Sequence, residues 1–483
     1  MDWQQVRDRA KAIWGYDQFR PPQGEIIACL LAGKDALVVL PTGGGKSLCF
    51  QLPALLQDGL TLVVSPLVAL MENQVQELQQ HQLAAASFHS EVPRGERKNI
   101  LQQLERQKLR LLYLSPESLF SAPIWERLIA PKLIINGLIL DEAHCLVQWG
   151  ETFRPAYRRL GVVRETLLAA KPNCQTMTVA AFTATANSEA CETIKTCLRL
   201  NAPTYFQQSP YRPNLRLKVK RVCTPAQRKK QLLNFIQPRQ KQAGLIYARS
   251  RSVTETLSHW LNEKGYNSAF YHAGLSPTER RHIEQQWLTG TLQFVIATSA
   301  FGMGINKANL RWVIHYQPPL LLSEYVQEIG RGGRDGKIAH ALTLVSEPTG
   351  LLYPEDKQRK QYFIQKLRQQ YQKAQQLRKQ IPKEGNISTV EAMSPHGLIT
   401  LSLLHSLGEL EWLDPFYYRL LPTLKTRKLT PKLLTQPQQM EAYFRTRDCR
   451  WQFLLRGFGF KQEAENFRCG NCDRCFKEKS HNK

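Results

Sequence analysis

The stretch ALVVLPTGGGKSLCFQLPALL, residues 36–56, decides the fold of the first part of the chain. An apolar run that suits a buried strand leads into a glycine-rich turn, and a helical pattern follows. Glycines in such a turn let backbone N–H groups approach phosphate oxygens, and the start of the helix adds a favourable dipole. The lysine can reach the β and γ oxygens, and the serine hydroxyl can ligate magnesium. The residues predicted to hold a nucleotide are Thr42, Gly43, Gly44, Gly45, Lys46 and Ser47.

This turn departs from the general phosphate-binding pattern G-x-x-x-x-G-K-[ST], because Leu40 stands at the position of the first glycine. A glycine-rich turn without a ligand is the alternative interpretation. A second motif favours the nucleotide site, since LILDEAH, residues 138–144, places two acids at the end of another apolar run. We expect Asp141 to hold magnesium and Glu142 to orient the attacking water, because phosphoryl transfer mainly requires positioning and charge neutralisation.

Short apolar runs alternate with helical patterns in two successive series. The first contains ALVVL, TLVVS, LRLLYLS, LIINGLILDE and TVAAFTAT, and the second contains AGLIYARS, NSAFYH, LQFVIATS, RWVIHYQ and HALTLVS. Strands separated by helices imply parallel sheets that are covered on both faces. The pattern breaks at QSPYRPNLRL, which reads as a connection. The sequence therefore predicts an α/β fold with two tandem parallel-sheet lobes, residues 1–210 and 211–350.

The chain is strongly basic, with 65 Lys and Arg against 40 Asp and Glu, a net charge of +25 and a pI near 9.7. Most such chains bind a polyanion, and nucleic acid is the commonest; a general solubility bias is the alternative. Residues 351–483 carry 24 basic and 13 acidic side chains, so the excess is densest there. No apolar run is long enough to span a membrane, and the first residues lack a signal-type apolar region. We expect an intracellular protein.

The C-terminal third is predicted to be mostly helical. Residues 357–380 predict a basic helix with one apolar stripe, formed by Phe363, Leu367, Tyr371, Ala374 and Leu377. Residues 395–421 predict a helix followed by a β-hairpin that turns at Asp414-Pro415. That pattern is typical of winged-helix modules, and a helical spacer is the alternative. Basic flanks, including KTRK at 425–428, could hold duplex DNA or could simply be solvated.

The eleven cysteines fall into two groups. Seven lie singly in apolar or mixed stretches and are interpreted as small core residues: Cys29, Cys49, Cys145, Cys174, Cys191, Cys197 and Cys223. The other four, with the spacing C-x19-C-x2-C-x2-C, are Cys449, Cys469, Cys472 and Cys475. Four thiolates suit a tetrahedral structural zinc site that is closed to water. A redox dithiol and an iron–sulfur cluster are the alternatives.

Taken in order, these motifs resemble those of superfamily-two helicases, and within that group the RecQ DNA helicases. GYDQFRPPQGEII resembles the family's nucleotide-base motif, VVSPLVALMENQV and LLYLSPESL resemble its DNA-backbone motifs, and AFTATA resembles the motif that relays hydrolysis to DNA binding. YHAGLSPTERR, VIATSAFGMGINKANLRWVIHY and YVQEIGRGGRDG follow in the second lobe. The resemblance runs nearly continuously from Gly15 to Val345 and includes the cysteine cluster.

The resemblance implies two RecA-like lobes and a role for further residues. Tyr16 would stack on adenine, and Arg20 and Gln23 would contact the nucleotide. An arginine that reaches the phosphates from a separate lobe stabilises the transition state only when the lobes close, which couples hydrolysis to movement. The residues implied to face the γ-phosphate from the second lobe are Gln327, Arg331 and Arg334.

The segment CLVQWGETFRP, residues 145–155, resembles the aromatic-rich loop of RecQ helicases. Trp149 and Phe153 can stack on the bases of a single strand, and Arg154 can add a cation–π or phosphate contact. The alternative is that either ring packs in the core. Val147 stands where a small polar residue is usual, and we expect little effect from this difference.

The resemblance implies an ATP-dependent DNA helicase that moves 3′ to 5′ in recombination and repair, with ATP, Mg²⁺ and Zn²⁺ as cofactors. Single-stranded and forked DNA, and a single-stranded-DNA-binding protein, are the expected partners of a monomer that is cytoplasmic and nucleoid-associated if the source is bacterial. Alternatives are an RNA-directed DEAH-box ATPase and a DNA-annealing or DNA-binding protein with a weak motor. Only eight residues follow Cys475, so we expect a short form without the family's downstream winged-helix and HRDC domains. After the lobes, residues 351–440 would contain the basic helix and a winged-helix-like insertion, and residues 441–483 the zinc module.

Overall fold

The computed structural model describes residues 2–148, 150–151, 153–171, 176–302, 307–422 and 432–476, and in the last range it describes side chains from residue 436 onward. The chain forms two compact units, Met1–Gln208 with Leu367–Leu429, and Ser209–Lys366 with Thr430–Lys483. The first crossing between them falls inside the predicted connection QSPYRPNLRL. Among the described residues, none of the helices has both the length and the apolar character needed to span a bilayer.

The first unit contains a seven-stranded sheet. Its strands are β1 (Ala36–Val39), β2 (Leu60–Val64), β3 (Ala85–Phe88), β4 (Leu111–Leu114), β5 (Ile135–Leu140), β6 (Thr178–Thr183) and β7 (Thr204–Gln207). All neighbours pair in parallel, in the order β3-β4-β2-β5-β6-β1-β7. The predicted parallel sheet is therefore confirmed.

Helices cover both faces of this sheet. They are α1 (Trp3–Trp14), α2 (Gln23–Leu31), α3 (Lys46–Leu56), α4 (Val68–Gln80), α5 (Arg94–Glu105), α6 (Pro116–Leu119), α7 (Ala122–Leu128), α8 (His144–Gln148), α9 (Val163–Ala169) and α10 (Ser188–Cys197), with a 3-10 helix at Pro155–Val162. Successive strand residues face opposite sides, so Leu62 and Leu138 enter one apolar layer while Val63 and Ile139 enter the other. Burial on both faces explains why the strands read as unbroken apolar runs.

The second unit contains a six-stranded parallel sheet. Its strands are β8 (Leu215–Val222), β9 (Gly244–Tyr247), β10 (Ser268–Tyr271), β11 (Phe294–Ala297), β12 (Trp312–His315) and β13 (Ala339–Ser346). Their order is β10-β11-β9-β12-β13-β8. The helices of this part are α11 (Pro225–Ile236), a 3-10 turn (Gln237–Arg239), α12 (Arg251–Glu263), α13 (Pro277–Thr289) and α14 (Leu322–Ile329). The second predicted lobe thus has the same parallel architecture as the first.

Helix α15 (Glu355–Arg378) follows the second sheet and matches the basic helix predicted at 357–380. Leu367, Tyr371 and Ala374 of the predicted apolar stripe are buried. The division between the two compact units falls within this helix, between Lys366 and Leu367.

A small module follows α15 and belongs to the first unit. It contains β14 (Glu384–Asn386), α16 (Ile387–Met393), α17 (Gly397–Ser406), β15 (Leu410–Trp412) and β16 (Tyr417–Leu420). The strands form an antiparallel sheet in the order β14-β16-β15. The predicted hairpin is present, and the Asp414 carboxylate closes its turn by accepting the N–H groups of Phe416 (2.6 Å) and Tyr417 (2.9 Å).

The chain ends in helices α18 (Lys432–Arg445), α19 (Arg450–Gly457) and α20 (Lys461–Ala464), which belong to the second unit. The KTRK segment lies outside the described residues, and so does Cys174. Five of the seven single cysteines, Cys29, Cys49, Cys145, Cys191 and Cys197, are buried as expected, while Cys223 is half-buried.

Candidate active site and zinc centre

Three motifs of the first unit meet at one edge of its sheet. The glycine-rich turn follows β1, and the acid pair follows β5. AFTATA comprises the last three residues of β6, which lies between those two strands, and the three residues after it. Because the carboxyl ends of parallel strands lie at the same edge, these side chains come together there. Ligands of open α/β sheets bind at that edge.

The glycine-rich turn ends where α3 begins, at Lys46. Gly43 (φ 85°) and Gly45 (φ 74°) adopt the left-handed conformation that disfavours other residues. A Cβ on Gly45 would lie 2.2 Å from Nε2 of Gln23, so a larger residue would also have to displace the Gln23 amide. Gln23 is buried; its Nε2 donates to the Gly44 carbonyl (3.0 Å), and its Oε1 accepts from Arg20 N (2.9 Å). Gln23 therefore supports the turn from α2.

The other residues predicted to contact the nucleotide base are accessible. The Tyr16 ring is 52% exposed and Arg20 is exposed, so both can meet a ligand. Thr42, Lys46 and Ser47 are partly buried along the turn. Arg20 and the turn are thus joined through Gln23, while the nucleotide-contacting roles of these residues stay predictions.

Asp141 is only 4% exposed and lies directly after β5. Its Oδ1 accepts the N–H of Glu142 at 3.0 Å. Burial and the Glu142 carboxylate raise the pKa of Asp141 to about 7, while the Lys46 ammonium opposes the rise. The Asp141 carboxylate and the hydroxyl of Ser47 on the glycine-rich turn supply hard oxygen ligands, which suit Mg²⁺. The residues present therefore fit a magnesium ion.

Glu142 has a left-handed backbone with φ 51°, which is uncommon for a non-glycine residue and marks functional sites in many proteins. Its Oε2 lies 3.2 Å from Nδ1 of His144, and the same nitrogen lies 3.1 Å from Oγ1 of Thr183. Thr183 Oγ1 also accepts the N–H of Thr185 at 3.3 Å. His144 thus connects the acid pair to the AFTATA segment.

No role was predicted for His144, although it is the last letter of the quoted motif LILDEAH. It is buried. Burial opposes the charged form, but the neighbouring Cys145 and the Glu142 carboxylate together raise the pKa of His144. The sequence feature that could have indicated a role for His144 is its position two residues after Glu142.

The loop after the acids holds the remaining predicted residues of this unit. Phe153 is 68% exposed, so its ring does not pack in the core and can stack on a ligand. Arg154 Nη1 donates to the Pro66 carbonyl (2.6 Å), and its Nε lies 3.7 Å from Glu117. Its guanidinium therefore joins the loop to the two segments that resemble DNA-backbone motifs. Trp149 lies outside the described residues.

In the second unit, Gln327 lies on α14 and Arg331 and Arg334 lie just after it. Gln327 and Arg331 are buried, while Arg334 is partly buried. Arg331 donates to the carbonyl of Gly302, where φ is 105° and a Cβ would lie 2.7 Å from the guanidinium. The described residues of VIATSAFG and of YVQEIGRGGRDG are thus joined by a hydrogen bond.

A buried ion pair fixes α14. Arg249 donates to both carboxylate oxygens of Glu328, at 2.8 and 2.6 Å, and His315 Nε2 lies 2.9 Å from the same carboxylate. Burial alone would raise the pKa of Glu328, but Arg249 and His315 lower it to about 2. Sequence reasoning missed these residues, because their spacing carries no local pattern.

The four clustered cysteines of the second unit converge. All four Sγ atoms lie within 4.8 Å of one another, with Cys469–Cys475 at 3.9 Å and Cys472–Cys449 at 4.0 Å. A tetrahedral site with Zn–S bonds of about 2.3 Å has S–S edges of roughly 3.8 Å, whereas a disulfide needs about 2.05 Å. The cluster therefore fits zinc and not a disulfide.

The surroundings support these thiolates. Cys449 Sγ accepts Cys469 N–H (3.3 Å) and Cys472 Sγ accepts Arg450 N–H (3.4 Å), as expected of structural metal ligands. Asp473, next to Cys472, accepts from Arg450 (2.8 and 3.0 Å) and from Val219 N (3.1 Å). The cysteine knuckle is thereby attached to β8, the edge strand of the second sheet.

Comparisons with known families cover three parts of the chain. The model described as DEAD/DEAH box helicase matches residues 20–194, the helicase conserved C-terminal domain matches 227–336, and RecQ zinc-binding matches 426–476.

Among solved structures, the helicase Lhr of Mycobacterium smegmatis with ssDNA and AMP-PNP has a TM-score of 0.56 at 21% identity, covering 69% of this chain and 47% of that one. S. cerevisiae Dbp5 with RNA and ADP BeF3 has a TM-score of 0.57 at 14% identity, covering 71% and 87%. At these identities the structures support the fold alone.

Full-length similarity is stronger. The chain is 51% identical over 474 residues to the ATP-dependent DNA helicase RecQ of Synechocystis, covering 98% of each. It is 38% identical to that of Pasteurella multocida over 71% of this chain, although it spans about half of that relative, 52%. A probable ATP-dependent DNA helicase RecS of Bacillus subtilis is 38% identical, covering 69% and 65%. With its nucleotide turn, acid pair and zinc-type cysteine cluster, the chain belongs to the RecQ family of ATP-dependent DNA helicases.

Proposed function

We propose that this helicase uses MgATP hydrolysis to move 3′ to 5′ along one DNA strand and to separate the duplex ahead during recombination and repair. The observation that carries the proposal is the convergence of the nucleotide turn, the acid pair and AFTATA at one sheet edge, with the exposed Phe153 ring on the loop that follows the acids. Direction and cellular role rest on membership of the family.

In this proposal the residues of the first unit have separate roles in binding and hydrolysing ATP. Backbone N–H groups of Gly43 to Gly45 and the Lys46 ammonium bind the phosphates, while Ser47 and Asp141 hold magnesium. Glu142 orients the attacking water. When bound, Mg²⁺ supplies charge neutralisation at the β and γ phosphates. Tyr16, Arg20 and Gln23 position the base, and Thr42 completes the turn.

Gln327, Arg331 and Arg334 are proposed to stabilise charge on the γ-phosphate in the transition state. Preorganised cations contribute most when they need no rearrangement during the reaction. The Arg249–Glu328 pair supports this assignment, because its two hydrogen bonds anchor α14, which carries Gln327. The hydrogen bond between Arg331 and Gly302 anchors the segment after α14.

We propose that Trp149, Phe153 and Arg154 report DNA binding to the acids. The exposed Phe153 ring supports this, since base–aromatic stacking contributes about 1–3 kcal/mol per base. The path of the signal would run through the loop to Glu142 and, by way of His144, to Thr183.

The expected partners are single-stranded and forked DNA and a single-stranded-DNA-binding protein, and the working form is a monomer in the DNA-containing compartment. We propose four functional segments, residues 1–210, 211–350, 351–440 and 441–483, with zinc in the last. In the third segment, a helix, a strand, two helices and a hairpin follow one another as in winged-helix modules, which supports a role in holding duplex DNA.

The test is ATP turnover with no nucleic acid, with single-stranded DNA and with single-stranded RNA at one fixed salt concentration, because phosphate contacts are salt-sensitive. We expect strong stimulation by DNA alone, and unwinding of duplexes with a 3′ tail but not a 5′ tail. Glu142→Gln is the control and should abolish turnover while keeping nucleotide binding. Stronger stimulation by RNA than by DNA would favour the RNA-directed ATPase, and equal turnover in all three conditions would mean that the loop after the acids does not sense DNA. Residual turnover in Glu142→Gln would indicate that another residue or a contaminant hydrolyses ATP.

A further inference from the structure

The small module introduced after α15 packs on the loop that follows the acids. We call this module together with the second half of α15, residues 367–421, the inserted module; the matched family models end at residue 336 and resume at 426, so they leave it out. Helix α17 lies against the 3-10 helix Pro155–Val162, and Val162 is buried among the module's apolar residues. All of these residues belong to the first unit.

Aromatic side chains also join the hairpin turn of the module to the segment around α7. The Phe416 ring, in the hairpin turn of the module, lies 5.5 Å from Trp125 and 6.2 Å from Phe120, both edge-on. Arg159 of the 3-10 helix donates to the Pro415 carbonyl at 3.1 Å. The module is therefore firmly attached to the segment after the loop.

Polar contacts reach the loop itself. Tyr371 donates its hydroxyl to Oε2 of Glu151 (2.9 Å), while Arg158 donates to Oε1 of the same carboxylate (3.1 Å). The side chains of Glu151 and Arg158 are only 15% and 6% exposed. Ser402 on α17 donates to the carbonyl of Gly150. A nearly buried ion pair needs such additional hydrogen bonds to offset the loss of hydration.

In the sequence, Gly150 and Glu151 stand between Trp149 and Phe153, two of the residues proposed to contact DNA. Gly150 leaves no room for a side chain, because a Cβ there would lie 2.3 Å from the Leu146 carbonyl. Its N–H also donates to the Cys145 carbonyl at 3.2 Å. The contacts from Tyr371 and Ser402 therefore act on a close-packed backbone that leads from the acids to Phe153.

We propose that the inserted module is the platform that positions the DNA-sensing loop, with Tyr371 acting through Glu151 and Ser402 acting through Gly150 as positioning residues. This inference rests on the proposed sensing role of the loop. The module thereby sets how much DNA is needed to stimulate hydrolysis, although it contributes no group to the phosphates.

The experiment compares Tyr371→Phe with Tyr418→Phe. Tyr418 is the matched control, because it is buried in the same module and its hydroxyl donates to the Pro382 carbonyl (3.2 Å), away from the loop. ATP turnover is measured against single-stranded DNA concentration. Loss of a hydrogen bond to a charged group should raise the half-saturating DNA concentration about fivefold in Tyr371→Phe. Tyr418→Phe should match wild type.

Two further arms identify the route and separate this inference from the proposed function. In Glu151→Ala, which removes the acceptor, adding Tyr371→Phe should have no further effect if Tyr371 acts through Glu151. Amide hydrogen exchange without DNA should be faster for the loop peptide in Tyr371→Phe than in Tyr418→Phe. Equal exchange and equal DNA dependence in the two variants would overturn the inference. A wild type that DNA does not stimulate, with faster exchange in Tyr371→Phe, would instead refute only the sensing role.

Discussion

Oε2 of Glu142 lies 3.2 Å from Nδ1 of His144, and that nitrogen is also 3.1 Å from Oγ1 of Thr183. One imidazole therefore contacts both the acid proposed to orient water and the strand end that resembles the coupling motif. A side chain in this position can transmit a small shift of either neighbour, because all three groups are buried or nearly so.

Replacing His144 by alanine should uncouple DNA binding from hydrolysis. We expect DNA-stimulated ATP turnover to fall about tenfold, since a hydrogen bond to a charged group is worth about 1.5 kcal/mol, while nucleotide affinity stays within about twofold. Steady-state turnover with and without DNA, together with a nucleotide titration, measures both. His259→Ala, at an exposed histidine of α12, is the control. Unchanged stimulation in His144→Ala would rule out this role.

Replacing Gly45 by alanine should weaken nucleotide binding. The new Cβ would lie 2.2 Å from Gln23 Nε2, and φ at this position is 74°. Strain of about 1–3 kcal/mol should displace the turn and lower ATP affinity at least tenfold. Gly95→Ala is the matched control, because nothing lies within 4 Å of a Cβ at that helix position. Equal ATP affinities in a binding titration of the two variants would contradict the geometry.

Replacing Glu328 by glutamine should destabilise the second unit in a pH-dependent manner. The pKa of Glu328 is lowered to about 2, so its contribution is present above the ordinary value of 4.5 and is lost as pH falls through about 2. We expect the free energy of unfolding to be about 3 kcal/mol lower than in wild type at pH 7. The difference should shrink at pH 3. Urea unfolding of both proteins at the two pH values checks this, and a pH-independent difference would contradict the charge argument.

Replacing Cys472 by serine should release zinc and loosen the attachment of the knuckle to β8. Zinc content, measured by atomic emission, should fall from about one ion per chain to near zero, because structural sites need all four ligands. The melting temperature should fall as well. Cys223→Ser, outside the cluster, should keep its zinc. Full zinc content in Cys472→Ser would show that the four thiolates do not form the site.

Much of the architecture was predictable, for a local reason. Strands that are buried on both faces have short, continuous apolar sequences. The alternation of such apolar runs with helical patterns around TGGGKS and LILDEAH therefore predicted the parallel sheet, with its motifs at the strand ends. The hairpin at Asp414 was predictable because its carboxylate caps the turn within three residues. The cysteine spacing likewise predicted a cluster that closes into one site.

Other features were not predictable, because they depend on partners far apart in the chain. Nothing near Glu328 indicates Arg249 or His315, and the role of Gly302 beside Arg331 appears only when the two segments are adjacent. The exposure of Phe153 could not be separated from core packing by periodicity, since a single aromatic residue in a loop has no period.

By itself the sequence predicted the chemistry proposed for this protein: the residues expected to hold phosphate, magnesium and zinc, and the parallel sheets that carry them, all follow from patterns within a few residues. Only the tertiary structure decided where the inserted module lies. Tyr371 and Glu151 are 220 residues apart, and their hydrogen bond forms because burying the apolar faces of α15 and α17 brings them together. The spacing of residues along the chain therefore indicates the chemistry that a side chain offers. The burial of apolar surface between distant segments decides which other side chain it contacts.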